Sequence, residues 1–161
     1  MIMRRIINIF AVFAVIFCVA ASCEKATEPN DYIDAKFVGE WHLVDAKAEG
    51  VTISSDVDVY LSICSDCTFE LYQKSGTQSV RYDKFTGICS CDGKTISGTY
   101  STGEPWASKY TYSFTSDEMI LKSFNLLEEQ RYIKADIPAK VKEDSNVITK
   151  STAASSTAPI L

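Results

Sequence analysis

The stretch Val57-Asp-Val-Tyr-Leu-Ser-Ile-Cys64 decides the fold. Its aliphatic residues occupy every second position, and polar or tyrosine residues fill most of the positions between them. Because successive side chains of a β-strand point to opposite faces, this period of two predicts a strand with one buried face. The same alternation recurs at 68–72 and 109–114. We therefore expect an all-β fold.

Turn signals separate these runs at short intervals. Asp92-Gly93 is the strongest signal, because both central residues of a type I′ hairpin turn need positive φ. Ser65-Asp66, Ser75-Gly76 and the loop at 102–105 are further breaks between runs. The predicted strands number eight and lie at about residues 37–46, 57–64, 68–74, 80–89, 95–101, 108–115, 119–124 and 128–135.

Eight short strands joined by hairpins predict an antiparallel up-and-down meander. Closing such a sheet into an eight-stranded barrel, here over residues 37–137, removes its exposed edges. The interior of a barrel of this size is either filled by side chains or holds one small ligand. A β-sandwich is the competing arrangement. Residues 138–161 are predicted to be a disordered Ser/Thr/Ala-rich tail, because their composition buries too little apolar surface to offset ordering.

The first 22 residues predict a lipoprotein signal peptide. Arg4 and Arg5 precede an apolar run that is shorter than the about 20 residues of a membrane-spanning helix. Small residues then lead directly to Cys23, so we expect cleavage before Cys23 and lipid attachment to it. Residues 23–36 would form a tether and a short helical turn. An uncleaved anchor and a plain soluble secretory signal are the alternatives.

The net charge of the chain limits the kinds of partner that it can bind. The formal net charge is −5, no basic block is present, and loss of Arg4 and Arg5 makes the remainder more acidic. Such a domain is a poor match for nucleic acid or anionic lipid surfaces. Attachment to a membrane must therefore come from lipid on Cys23, and stable attachment needs more than one acyl chain. We expect an outer membrane lipoprotein of the bacterial cell envelope, with no leaflet assigned.

The segment Phe37-Val-Gly-Glu-Trp-His-Leu43 resembles the Gly-x-Trp signature that opens the first strand of lipocalins. Segments 68–74, 96–106 and 131–138 are similar to the hairpins and ending of lipocalin-like lipoproteins of Bacteroidetes. The resemblance covers about residues 37–140 and implies an up-and-down barrel. It also implies structural roles at one barrel end, where Trp41, two residues after Gly39, acts as a plug and Arg131 packs over its ring through a cation–π contact.

Four of the six cysteines fall in the predicted barrel: Cys64, Cys67, Cys89 and Cys91. A tetrahedral zinc site, a redox-active C-x-x-C and two disulfides are the three interpretations. An oxidising envelope favours disulfides, and no βαβ pattern surrounds the C-x-x-C. The turns at 65–66 and 92–93 lie at the same end of a meander. We therefore expect cross-links between the two pairs and no metal.

The sequence offers no catalytic constellation. Its one histidine, His42, follows Trp41 in a strand and is expected to face away from it. Phosphate loops and H-E-x-x-H motifs are absent. We expect a non-enzymatic protein without a cofactor that binds a small apolar ligand in its barrel. The alternative is a structural or interaction lipoprotein with a filled barrel that docks an envelope partner protein. Either role is compatible with the tyrosines of the strands, which line a ligand cavity or fill the core: Tyr60, Tyr72, Tyr82, Tyr100, Tyr110, Tyr112 and Tyr132.

Overall fold

The computed structural model describes residues 32–52, 57–76, 79–125, 127–153 and 158–161. Its elements are β1 (Gly39–Ala48), β2 (Val51–Thr52), β3 (Val57–Ile63), β4 (Thr68–Ser75), β5 (Asp83–Cys91), β6 (Thr95–Tyr100), β7 (Tyr110–Phe114), β8 (Glu118–Ser123), β9 (Glu128–Lys134), α1 (Ala139–Glu143) and β10 (Asn146–Val147). All eight predicted strands are present, and β2 and β10 are short additions. The predicted signal peptide and Cys23 lie outside the described residues. Among those residues, none of the helices has the length and apolar character needed to span a membrane.

Eight of the strands close into an antiparallel up-and-down barrel. β1 pairs with β3, and from β3 to β9 each strand pairs with the next along the chain. The last strand of the barrel, β9, pairs with β1, with Leu43 opposite Tyr132. This continuous ring confirms the predicted barrel and excludes the two separate sheets of a sandwich.

The period of two sends apolar side chains to the inside of this ring. Leu61, Leu71 and Leu121 are fully buried, as are the larger Trp41 and Tyr132. Burial of side chains of this size is the main stabilising contribution to the fold, at roughly 1.5–3 kcal/mol for each aliphatic residue. The barrel interior is therefore largely filled.

Two glycines allow an aromatic cluster to lie against the backbone. A Cβ atom on Gly98 would lie 2.4 Å from the Trp106 ring, and one on Gly87 would lie 2.2 Å from the carbonyl oxygen of Thr99. The rings of Phe69 and Trp106 meet edge to face, with centroids 5.2 Å apart. Glycine at these two positions is what makes this close approach sterically acceptable.

The predicted disordered tail is corrected by the structure. After β9, helix α1 packs Val141 against Tyr72, and β10 adds to β5 in parallel. Ile148 and Leu161 are buried in the main core. The average composition of residues 138–161 predicts disorder because most of them are polar. Several of the few apolar side chains in this range are nevertheless buried. Residues 138–153 and 158–161 are thus part of the folded domain.

Candidate functional site

The candidate site lies at the end of the barrel that residues 158–161 occupy. Trp41 lies near the start of β1, whereas Gln130 pairs with Ala46 near the end of that strand. Gln130 contacts Ile160 of this segment, so the segment lies at the end of the barrel opposite Trp41. Leu161 is 1% exposed and Ile160 packs on the same core. The barrel thus holds a piece of its own chain.

Gln73 on β4 binds the backbone of this segment at two points. Its Nε2 donates to the carbonyl oxygen of Ala158 at 3.0 Å, and its Oε1 accepts from the N–H of Ile160 at 2.9 Å. The Nε2 group also donates to Ser75 Oγ at 3.2 Å. Gln73 is buried, and it follows Phe69 and Leu71 on the inward face of the strand. A polar side chain at this place is therefore aimed into the barrel.

Two further inward side chains complete the contact. Gln130 on β9 donates from Nε2 to the carbonyl oxygen of Ile160 at 2.9 Å. The hydroxyl of Tyr100 donates to the backbone oxygen of Leu161 at 2.7 Å. Burial, and secondly the nearby Tyr110, raise the pKa of Tyr100, so its hydroxyl stays protonated and remains a donor. All these hydrogen bonds go to backbone atoms of the segment, so they do not depend on its side chains.

A cavity of about 350 Å³ lies beside the segment. Its lining includes Phe85, Tyr100, Pro105, Ile148, Pro159 and Leu161. Such a volume and an apolar lining with few polar groups are typical of small-ligand sites. Of the tyrosines considered from the sequence, Tyr100 therefore lines a cavity, whereas Tyr60, Tyr72 and Tyr82 surround the external contacts of α1.

Gln73 and Gln130 were missed in the sequence. The signal that would have found them is a glutamine at an inward position of a strand whose other inward residues are apolar. Gln73 continues the series Phe69, Leu71, and Gln130 precedes the buried Tyr132 by two. Buried polar side chains need partners. The positions therefore indicate contact with something inside the barrel.

Gly39 and Trp41 lie at the start of β1, at one end of the barrel, whereas Arg131 does not take the role that the resemblance implies. Trp41 is buried, and its Nε1 donates to the carbonyl oxygen of Phe37 at 2.8 Å. Gly39 begins β1 with a φ of 136°, which favours glycine. The cation over the Trp41 ring is Lys134, at 5.3 Å from the ring centre. Arg131 has the opposite parity on β9 and pairs outside the barrel with Glu118 at 3.0 Å.

The four cysteines of the barrel gather near the end that holds Trp41. Cys67, Cys89 and Cys91 are buried, and Cys64 is exposed. In the part of the chain that the structure describes, no disulfide joins the two pairs, so the predicted cross-links are not found. Within the same ranges, no three His, Cys, Asp or Glu side chains are grouped so as to hold a metal ion.

His42 faces away from Trp41, as its position in the strand predicts. Its Nε2 lies 2.9 Å from Oδ1 of Asp58, and its ring stacks on Tyr60 with centroids 4.4 Å apart. Asp58 also accepts a hydrogen bond from the hydroxyl of Tyr82. Burial, and secondly this hydrogen bond, raise the pKa of Tyr82. The group joins β1, β3 and the residue that precedes β5 on the outer face.

Comparisons with known proteins add little to this geometry. Neither a protein-family profile nor a curated protein matches the chain. Among solved structures, it is similar to the crystal structure of the wild-type fluorescent protein UnaG, with 12% sequence identity and a TM-score of 0.36. The match covers 62% of this chain and 98% of that chain. A similarity this distant carries no argument about function, and the architecture rests on the strand pairing itself.

Proposed function

We propose that this protein is a lipocalin-like binding protein of the bacterial envelope, anchored through lipid on Cys23. Its barrel holds a small apolar ligand at the end that residues 158–161 occupy. The observation that carries the proposal is the combination of apolar walls with three inward polar side chains, Gln73, Gln130 and Tyr100. A mostly apolar pocket with a few placed polar groups is the usual form of a small-ligand site.

A ligand can bind at this end only if it displaces residues 158–161. The segment is held by four hydrogen bonds and by the burial of Leu161. Because each hydrogen bond contributes only about 0.5–1.5 kcal/mol net, a ligand that restores them and fills the place of Leu161 can compete. Weakening the segment should therefore strengthen binding of an external ligand.

The test is a fluorescence titration of the full mature chain with a dansyl-labelled undecanoic acid. Leu161→Asp places a charge in the buried position and should raise the affinity for the probe about tenfold over the unsubstituted protein. Val147→Asp is the matched control, because it adds the same charge to the same region at an exposed valine. Circular dichroism verifies that both variants are folded. Equal affinity in all three proteins overturns the proposal. So does a failure to bind both this probe and an amidated peptide with the sequence of residues 154–161.

Docking of an envelope partner is the second candidate function. It is favoured by a group of exposed apolar side chains at one end of the barrel, Val51, Phe124 and Leu127. The N–H of Glu49 donates to the carbonyl oxygen of Leu127 at 3.1 Å, which brings the β1–β2 and β8–β9 connections together. A photo-crosslinking residue at position 127 should trap a partner in intact cells. The same residue at the exposed position 80 should not.

Lipid attachment has its own test. Radiolabelled palmitate should enter the unsubstituted precursor in cells and should not enter Cys23→Ser. Labelling of both proteins, or of neither, contradicts a lipid-modified Cys23. The outcome is independent of what the barrel binds.

A further inference from the structure

We infer that the ligand of the barrel is an uncharged peptide segment, bound through its backbone at the place of residues 158–161. The inference rests on the proposed function, since both need the same end of the barrel. It goes further by naming the chemical class of the ligand. The four hydrogen bonds and the burial of the residues that make them carry it.

Gln73 makes a contact that is specific for peptide. A side-chain amide carries a donor group and an acceptor next to each other. Here they pair with the carbonyl oxygen of Ala158 and the N–H of Ile160, two residues later. Pro159 between them disfavours the helical region for Ala158 and biases it toward an extended conformation. A backbone with a free carbonyl oxygen and, two residues on, a free N–H satisfies both atoms of the Gln73 amide.

A pure hydrocarbon ligand would not satisfy these groups. Gln73 is 4% exposed and Gln130 is 2% exposed. Filling their surroundings with hydrocarbon would leave Gln73 Oε1 without its Ile160 donor, and Gln130 Nε2 without its Ile160 acceptor. Leaving a buried polar group without a partner costs more than a made hydrogen bond contributes. The interior therefore favours a ligand with alternating acceptors and a donor along its length.

The side-chain environment selects for apolar sequence. Leu161 is buried beside Ile148 and Phe85, and Ile160 and Ala153 pack on the same core. A charged side chain in the place of Leu161 would lose its hydration without gaining an opposite charge. The site therefore accepts small and aliphatic residues around a proline. Residues 158–161 are one such sequence, and they compete with a peptide from another polypeptide.

The test uses a fluorescent peptide with the sequence of residues 154–161, amidated at its C-terminus. Fluorescence anisotropy is measured with the unsubstituted mature chain, with Leu161→Asp, and with Leu161→Asp combined with Gln73→Leu. The tethered segment has an effective concentration on the order of millimolar and should mask the site in the unsubstituted chain. Leu161→Asp should therefore bind the peptide at least tenfold more tightly. Adding Gln73→Leu to Leu161→Asp should weaken the binding of the peptide at least tenfold.

A second peptide tests the backbone contact without touching the protein. It carries N-methyl-isoleucine at the position of Ile160, which removes the donor to Gln73 Oε1 and keeps the apolar surface. Binding to Leu161→Asp should fall at least tenfold. Equal binding of both peptides overturns the inference. So does binding of the dansyl fatty acid to Leu161→Asp in the absence of peptide binding, although the proposed function then stands. If neither probe binds, both fail.

The state of association separates the two sources of a peptide. Exchange of residues 158–161 between two copies would give dimers, which light scattering after size-exclusion chromatography detects. We expect the unsubstituted chain to be monomeric with its own segment in place. A dimer that dissociates in Leu161→Asp would overturn the assignment to a peptide from a different protein, because a second copy of this chain would then be the source.

Discussion

The ammonium group of Lys134 lies 5.3 Å from the centre of the Trp41 ring, across the pair that joins the end of β9 to the start of β1. Lys134 shares the inward parity of Gln130 and Tyr132, so it extends over the end of the barrel where Trp41 is buried. Arg131 lies on the outer face, next to Glu118. Which cation lies over Trp41 thus depends on which β9 residues point inward, and the resemblance to lipocalins alone does not determine this.

Lys134→Met should lower the free energy of unfolding by about 0.5–1 kcal/mol through loss of the cation–π contact. Lys134→Arg retains a cation and should preserve most of it. Urea denaturation of a double-mutant cycle with Trp41→Phe measures the coupling. Arg131→Met, combined with the same Trp41→Phe, is the control and should show no coupling. Coupling of Trp41 to Arg131 rather than to Lys134 would contradict the contact.

Replacing Gln130 alone should lower the free energy of unfolding. Its Oε1 accepts from the hydroxyl of the fully buried Tyr132 at 2.7 Å, and its Nε2 donates to Ile160. Gln130→Leu leaves that hydroxyl without its acceptor and should destabilise the protein by about 1–3 kcal/mol. Adding Tyr132→Phe removes the hydroxyl that Gln130→Leu leaves without an acceptor. The double variant should therefore be more stable than the sum of the two single effects predicts, measured by urea denaturation. Strict additivity would argue against the hydrogen bond.

The strands could be predicted from the sequence because their signal is local. A period of two, broken by Asp92-Gly93 and similar turns, specifies which residues face inward, and closure follows from the need to cover edges. The site could not be predicted in the same way. Gln73 and Gln130 are 57 positions apart along the chain and meet only through the path of the barrel. Their common partner lies in a segment whose composition suggests disorder.

Glu40 links helix α1 to the barrel in a pH-dependent way. Burial disfavours its charged form, but hydrogen bonds from the Ile137 N–H and from Lys142 outweigh this and hold its pKa below the ordinary 4.5. A lowered pKa contributes stability that is complete above about pH 4.5 and is lost as the pH falls through the folded-state pKa. Chemical denaturation between pH 7 and pH 3 should therefore show a steeper loss for the unsubstituted protein than for Glu40→Gln.

Glu128 supplies a control of opposite sign. Burial raises its pKa, so ionisation of Glu128 destabilises the fold at neutral pH, and this penalty disappears on acidification. Glu128→Gln should be more stable than the unsubstituted protein at pH 7 and should approach it at low pH. If Glu40→Gln and Glu128→Gln shift the pH profile in the same direction, one of the two assignments is wrong.

The buried cysteines should react slowly as thiols. Burial, and secondly the neighbouring Cys91, raise the pKa of the Cys89 thiol to about 12, and burial also raises the pKa of Cys91. Because the thiolate is the nucleophile, iodoacetamide at pH 8 should modify the exposed Cys64 well before Cys89 or Cys91. Mass spectrometry of timed samples measures the order. Equal rates at Cys64 and Cys89 would contradict the burial of Cys89.

Cys67 and Cys89 are the pair best placed for the predicted cross-link. The N–H of Cys89 donates to the carbonyl oxygen of Cys67 at 2.8 Å, one step beyond the Thr68–Ile88 pair. The N–H of Cys67 donates to Cys64 instead, so the two residues share one hydrogen bond, which keeps their Cα atoms within the about 7 Å that a disulfide can span. Oxidation by glutathione disulfide would form the Cys67–Cys89 bond and release two glutathione thiols. Non-reducing peptide mapping of the oxidised protein should find that link. A Cys64–Cys91 link alone, or four alkylated cysteines after oxidation, would show that the register does not direct the pairing.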